Sequence, residues 1–378
     1  MDVLQVYKDF FPPATGGVER HMAEICRALD GHARVRVLVS SRGLRTTRER
    51  RNGLEVLGAP ELGRALSVPL NPTLPLWFRR LRADVWHVHS PNPMAELAWL
   101  LGRPRGGLVV SYHSDVVRQA LSFALYRPLY LRFLASAHRI LVSAPALAAG
   151  SAILAPFRDR CAVLPFGMDL ERFRLTPEVE ARVRALRARH GARLVLFVGR
   201  LIYFKGLDYL LDALPGMDAR LLLIGEGPLR RSLEARAARL GVAGRVEFLG
   251  RLSDAELTAH LHAADLLVLP SSHASEGFGI VQLEAHACGR PTVCTELGTG
   301  TSFATLDGIT GLVVPPRDPP ALARAITRLL DDEPLRRRLG EAARQRVVTE
   351  FSLERLRTRL LEVYAEAVAG AAAGDRRW

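Results

Sequence analysis

The chain has 378 residues, 48% hydrophobic and 24% charged, enough for two domains with separate cores. Ordinary apolar content with interspersed charge excludes a disordered or fibrous chain, and the longest uncharged run, 140–157, is too rich in Ala, Gly, Ser and Pro to span a membrane. The formal charge of +13 lies mostly in the first half and points to an anionic partner. Four cysteines without a C-x-x-C pair are expected as reduced thiols of a cytoplasmic protein, and Met1-Asp2-Val3 opens no basic leader.

Short Val/Leu-rich runs alternate with helical patterns from end to end, which predicts parallel α/β sheets. Strands are expected near 2–7, 34–39, 84–88, 107–112, 139–143 and 161–164, with helices such as 17–29 and 119–136 between them. Leu164-Pro165-Phe166-Gly167-Met168-Asp169 ends this series, so a hinge is expected at 165–175, followed by a polar helix through Arg189. The rhythm restarts with strands near 193–198, 219–224, 245–249, 266–270, 291–294 and 311–314. Helices are expected near 205–213, 228–240, 253–263 and 279–288, then from Pro320 to about 368 before a frayed tail. The expected architecture is two tandem Rossmann-like, doubly wound parallel sheets facing across a cleft. An N-terminal domain covers 1–170, a C-terminal domain 171–355, and a C-terminal helix with its tail 356–378, packing back toward the first domain. Such sheets bind ligands beyond the carboxyl ends of their strands, so the strand-to-helix loops are the places to search.

The first such loop carries Gly16-Gly17 ahead of a helix, where backbone amides can approach an anion. Neither a G-x-G-x-x-G nor a Walker A sequence is present. His113 follows a strand end, placed to meet a sugar hydroxyl or a phosphate. His87 and His89 share a strand face, but lack acidic or cysteine partners at ligand spacing, so no metal is expected. In the second half Arg200 and Lys205 flank one loop, the arrangement of a pyrophosphate clamp. Only Lys8 and Lys205 among the 52 basic residues are lysines, which singles out Lys205. Gly250-Arg251-Leu252 can edge a nucleobase pocket through its backbone. The most informative string runs from Ser271 to Pro291. Glu276 is expected in a loop with Gly277-Phe278-Gly279, and Glu284 over a turn inside the helix that follows, so the two carboxylates grip different parts of one elongated ligand. Each feature has an ordinary structural alternative: a tight turn, solvated arginine and lysine, a capping and a solvated glutamate.

Taken in order, Gly16-Gly17-Val18-Glu19, Pro165-Phe166-Gly167-Met168-Asp169, Arg200 with Lys205, and Glu276-x7-Glu284 resemble the family 4 retaining glycosyltransferases of GT-B architecture over nearly the whole length. The resemblance implies that Arg200 and Lys205 bind the donor diphosphate and neutralise the leaving group. It also implies that Glu276, with the amides around Gly277–Gly279, holds the donor sugar, Glu284 the ribose, Gly16 and Gly17 the phosphates, and that His113 lies near the transferred sugar. It implies neither cofactor nor metal. The stretches 6–13 and 294–302 are similar to a bacterial rhamnosyl/mannosyltransferase subgroup, which favours GDP-mannose, then a UDP-sugar, and a lipid-linked glycan acceptor. At Gly298–Ser302 many members carry a Gly-Gly-x-x-Glu run that is missing here. Val116–Arg139 interleaves Leu, Phe and Tyr with arginine, as does an interfacial helix on an anionic membrane surface or a core helix with a wet face. The competing readings are an epimerase of the same fold and a nucleic-acid-binding protein. The second lacks any recognisable binding module, so no nucleic-acid partner is expected.

Overall fold

Both halves bury both faces of their sheets, which is why their strands read as near-continuous apolar runs rather than alternating ones. In this computed structural model, residues 1–10, 16–65, 68–114 and 120–374 are described. The chain divides into one unit of Met1–Gly167 with Leu353–Trp378, and a second of Met168–Ser352, against expected boundaries at 170 and 355.

The first unit contains β1 (Asp2–Val6), β2 (Arg34–Ser41), β3 (Thr47–Arg51), β4 (Leu54–Pro60), a two-residue pair β5 (Arg64–Ala65) and β6 (Val68–Pro69), then β7 (Val85–Ser90), β8 (Gly107–Tyr112), β9 (Arg139–Val142) and β10 (Cys161–Val163). Its main sheet has the order β10-β9-β8-β7-β1-β2-β4-β3. The sheet is parallel except at β3, which pairs antiparallel with β4, a correction to the all-parallel expectation. The sequence of β3, Thr-Arg-Glu-Arg-Arg, has no apolar alternation to betray a strand; its charges blunt an exposed sheet edge. On β1, Leu4 and Val6 enter one core with Trp86, Val88 and Phe133, while Val3 enters another with Val37, Val85 and Val109. The helix Leu353–Ala372 closes that second core through Leu356, Leu360, Val363 and Tyr364, and continues past the expected end near 368.

The second unit contains β11 (Leu194–Val198), β12 (Arg220–Ile224), β13 (Val246–Gly250), β14 (Leu266–Leu269), β15 (Thr292–Thr295) and β16 (Gly311–Val314). All pair in parallel, in the order β13-β12-β11-β14-β15-β16. Phe197, Leu223, Val268 and Val293 share one core with Leu210, Leu322 and Ile326 of the covering helices. The helices are set by local chemistry. Thr176 caps Pro177–His190 with proline at the first helical position, and Ser253 with Glu256 forms a capping box on Asp254–Ala263. Strand order reverses between β11 and β14. The loops after those two strands therefore diverge from the sheet and leave a crevice, the usual ligand position in this topology.

Candidate functional site

The loop after β11 runs through Gly199, Arg200 and Leu201 into a single 3-10 turn, Tyr203–Lys205. Gly206 then turns left-handed (φ 64°) to start the helix Leu207–Ala213. A Cβ there would lie 2.0 Å from the Pro270 carbonyl oxygen, so the glycine lets the β11 and β14 loops touch. That contact brings Lys205 onto the β14 loop, where its Nζ lies 2.5 Å from Glu276 Oε2, with the two side chains only 13% and 10% exposed. Ser271 Oγ donates to the same oxygen at 2.9 Å. The ammonium also stands over the Phe204 ring, 5.7 Å from its centroid. Arg200 is exposed and makes no ion pair among the described residues. One pre-paired cation, one open cation and a buried carboxylate thus line the switch point of the second sheet.

Glu276 is held in a loop, as expected. Its amide donates to the His273 carbonyl at 3.0 Å, and Thr299 Oγ1 donates to its own carbonyl at 2.8 Å. The Gly300 amide donates to Gly277 O at 2.7 Å, and a Cβ on Gly300 would stand 2.7 Å from that same oxygen. The stretch that departs from the family pattern therefore cradles the Glu276 loop from behind. Gly279 (φ 77°) reverses the chain against Leu269, and Gln282 Nε2 donates to Phe278 O at 2.8 Å. The helix then runs Val281–Ala287, which places buried Glu284 in its first turn rather than beyond it, because the turn at Gly279 delays the start. Sequence reasoning assigned no role to Ser271, Thr295 or Thr299. Thr295 Oγ1 donates to Ser271 O at 2.5 Å, so Thr295 supports Glu276 through Ser271, while Thr299 holds its backbone directly.

Gly225 (φ 133°) follows β12 with its amide bonded to Gly250 O at 2.7 Å, and a Cβ on it would meet Gly199 O at 2.0 Å. The β11, β12 and β13 loops are thereby drawn together, and half-buried Leu252 lies just beyond β13 at the far end of this row from β14.

In the first unit Gly16 is the N-cap and Gly17 the first residue of the helix Gly17–Ala28. A Cβ on Gly16 would collide with the Glu19 carboxylate at 2.0 Å. Residues 11–15 ahead of them, and Val116 to Gln119 of the proposed interfacial stretch, lie outside the described residues; the helix is described from Ala120 to Ala135. His113, half-buried after β8, has its Nε2 3.1 Å from His89 Nδ1. Burial lowers the His113 pKa to about 4 and that of His87 to about 3, so both rings are neutral at pH 7. Nearby, Glu96 accepts from Ser90 Oγ at 2.8 Å, from the Asn92 amide at 2.7 Å and from Tyr126. Among the described residues no group of three His, Cys, Asp or Glu side chains is arranged to hold a metal ion, and all four cysteines are free thiols.

Residues 179–346 match the family model of glycosyl transferases group 1, and residues 15–172 that of Glycosyltransferase Family 4. The chain is 36% identical over 360 residues to D-rhamnosyltransferase WbpZ of Pseudomonas aeruginosa, covering 92% of this chain and 91% of that one. It is 33% identical over 368 residues to O-antigen chain mannosyltransferase C of Escherichia coli, covering 96% and 98%. Among solved structures it is similar to sucrose-phosphate synthase from Thermosynechococcus elongatus, with a TM-score of 0.81 at 23% identity over 98% of this chain and 99% of that one. It is also similar to Anabaena HepE in complex with UDP-glucose, with a TM-score of 0.79 at 18% identity over 97% and 99%. The structural likenesses establish the GT-B fold, and the two long sequence matches go further: the chain belongs to the family 4 glycosyltransferases.

Proposed function

We propose that this glycosyltransferase moves a hexose of the mannose or rhamnose type from a nucleoside-diphosphate sugar to a lipid-linked glycan or polysaccharide precursor, with retention at the anomeric carbon and without a metal ion. GDP-mannose is the favoured donor, a UDP-sugar the second candidate. The observation that carries this reading is the Lys205–Glu276 pair at the switch point of the second sheet, with Arg200 open beside it in the same loop. A diphosphate can draw the Lys205 ammonium from the carboxylate, which frees Glu276 to accept from sugar hydroxyls. Glu284 is assigned to the ribose, the Gly277–Gly279 backbone to the donor, the Leu252 backbone to the base, and His113 to a hydroxyl of a sugar substrate. The relatives' names, a D-rhamnosyltransferase and an O-antigen chain mannosyltransferase, support the sugar class and a lipopolysaccharide-type product.

In this mechanism the acceptor hydroxyl attacks the anomeric carbon on the face from which the phosphate departs. The bond from that carbon to the phosphate oxygen breaks, and its electron pair leaves with the nucleoside diphosphate. The new glycosidic bond forms, and the acceptor proton passes to a phosphate oxygen. The protein contributes position and charge. Glu276 is assigned to the hydroxyls of the donor sugar and is given no covalent role. The basic first half suits an anionic leaflet on the cytoplasmic side. No helix among the described residues is long and apolar enough to cross a membrane. Thermal unfolding with a panel of GDP-, UDP- and ADP-sugars tests the donor: a true donor at 100 times its Kd adds about 2.7 kcal/mol, a rise of about 5–10 °C. No rise with any of them refutes the reading. The anomeric configuration of the product, read by NMR, tests retention.

A further inference from the structure

Polar side chains occupy one row on an otherwise apolar face of the first sheet. Register sets Gln5 of β1 beside His87 of β7, and His89 of β7 beside Ser111 of β8. Ser111 Oγ lies 2.7 Å from His87 Nε2, and His87 Nδ1 lies 2.7 Å from the hydroxyl of Tyr364 in the C-terminal helix. Gln5 Nε2 donates to that hydroxyl at 3.0 Å, Gln5 Oε1 lies 2.8 Å from His89 Nε2, and His89 Nδ1 lies 3.1 Å from His113 Nε2. The rings of His89 and His113 have centroids 5.3 Å apart and planes 5° apart, so they meet edge to edge, as an in-plane bond between ring nitrogens requires. Gln5, His87, His89 and Tyr364 are wholly buried. A core of apolar residues would avoid the desolvation of four such groups, so a fully connected file asks for a reason beyond packing.

A neutral imidazole has one N–H and one lone pair, so the file has a direction. With its amide nitrogen toward Tyr364, Gln5 turns its oxygen to His89, which must therefore carry its proton on Nε2. His89 Nδ1 is then a lone pair and can only accept, so His113 carries its proton on Nε2 and is left with a bare Nδ1. On the other side Tyr364 donates to His87 Nδ1, and His87 Nε2–H donates to Ser111. Turning the Gln5 amide over reverses every bond and moves the His113 proton to Nδ1. We propose that Gln5, His89 and Tyr364 are positioning residues that fix the tautomer of His113 and present its Nδ1 as an acceptor for a hydroxyl of the sugar substrate. The proposal rests on the assignment of His113 to that hydroxyl.

The test is nitrogen NMR of the full chain labelled with 15N-histidine, at neutral pH without substrate, read beside turnover. In the wild type His113 is expected almost wholly protonated on Nε2. Tyr364→Phe, three bonds along the file and closely isosteric, removes the hydroxyl shared by the Gln5 amide and His87 Nδ1 and so uncouples the amide from the rest of the file. Both His113 tautomers should then appear, with kcat/KM falling about twofold as half of the molecules lose the acceptor at Nδ1. Gln5→Leu should mix the tautomers likewise. A wild-type His113 protonated on Nδ1 overturns the proposal, and that spectrum needs no variant to fold. An unchanged tautomer in a folded Tyr364→Phe overturns it too. Full turnover by His113→Ala refutes the sugar contact itself and with it the purpose of the file, an outcome told apart from the others because the wild-type tautomer is read independently.

Discussion

Lys205→Met and Glu276→Gln, singly and together, probe the pair at the centre of the second unit. With 13% and 10% of the two side chains exposed and 2.5 Å between them, each charge is largely withdrawn from water and relies on the other. Losing the ammonium leaves a carboxylate with Ser271 as its remaining side-chain donor, a cost of about 3 kcal/mol for breaking a buried pair. Losing the carboxylate charge costs less, about 2 kcal/mol, because the ammonium keeps the Phe204 ring beneath it. The double variant buries two neutral side chains of similar length, so its cost should drop to about 1 kcal/mol, a coupling of about 4 kcal/mol. All four tryptophans lie outside Met168–Ser352, so their fluorescence is blind to this unit. Hydrogen exchange of peptides spanning β11 and β14, followed through a denaturant series, reads it instead. Sugar transfer should be lost in all three variants even as stability returns in the double one. Additive costs in the double variant, or its recovery of transfer, would refute the reasoning.

Gly206→Ala places a Cβ 2.0 Å from the Pro270 carbonyl in a left-handed turn, and should cost about 2–4 kcal/mol and weaken donor binding, measured by calorimetry. Thr299→Val removes the hydroxyl from the Glu276 carbonyl; a loss of about 1 kcal/mol and a several-fold rise in donor KM are expected from thermal unfolding and steady-state rates. The first unit should also be acid-sensitive. Burial lowers the pKa of His87 to about 3 and of His113 to about 4, and depresses His21 and His89 as well. Because the folded pKa values lie below the unfolded value of about 6.5, stability is intact above that pH and declines as pH falls toward 4, by about 1.4 kcal/mol per pH unit for each histidine. Fluorescence of Trp77, Trp86 and Trp99, all in this unit, follows it directly.

Strands such as β1, β7, β8, β11 and β12 are legible in the sequence because both of their faces are buried, and apolar runs bounded by glycine or proline leave few alternatives. The charged edge strand β3 is invisible for the opposite reason, since nothing in it is buried against a core. Lys205 stands out by its rarity and Glu276 by the glycines after it, and the structure brings these two together. Their support is another matter. Ser271, Thr295 and Thr299 are ordinary hydroxyl residues whose value comes from tertiary proximity. The period-2 spacing of His87 and His89 reveals their shared face, but nothing local announces Tyr364, which meets His87 across 277 positions of the chain.

Titration of the full chain with GDP, UDP and ADP by calorimetry, repeated on Arg200→Ala and Lys205→Ala, addresses the diphosphate site most directly. A saturable heat with one nucleotide, weakened about 10- to 100-fold in the Lys205 variant as a charge-assisted contact is lost, is the expected result. Equal affinity in wild type and both variants would mean that the diphosphate sits elsewhere.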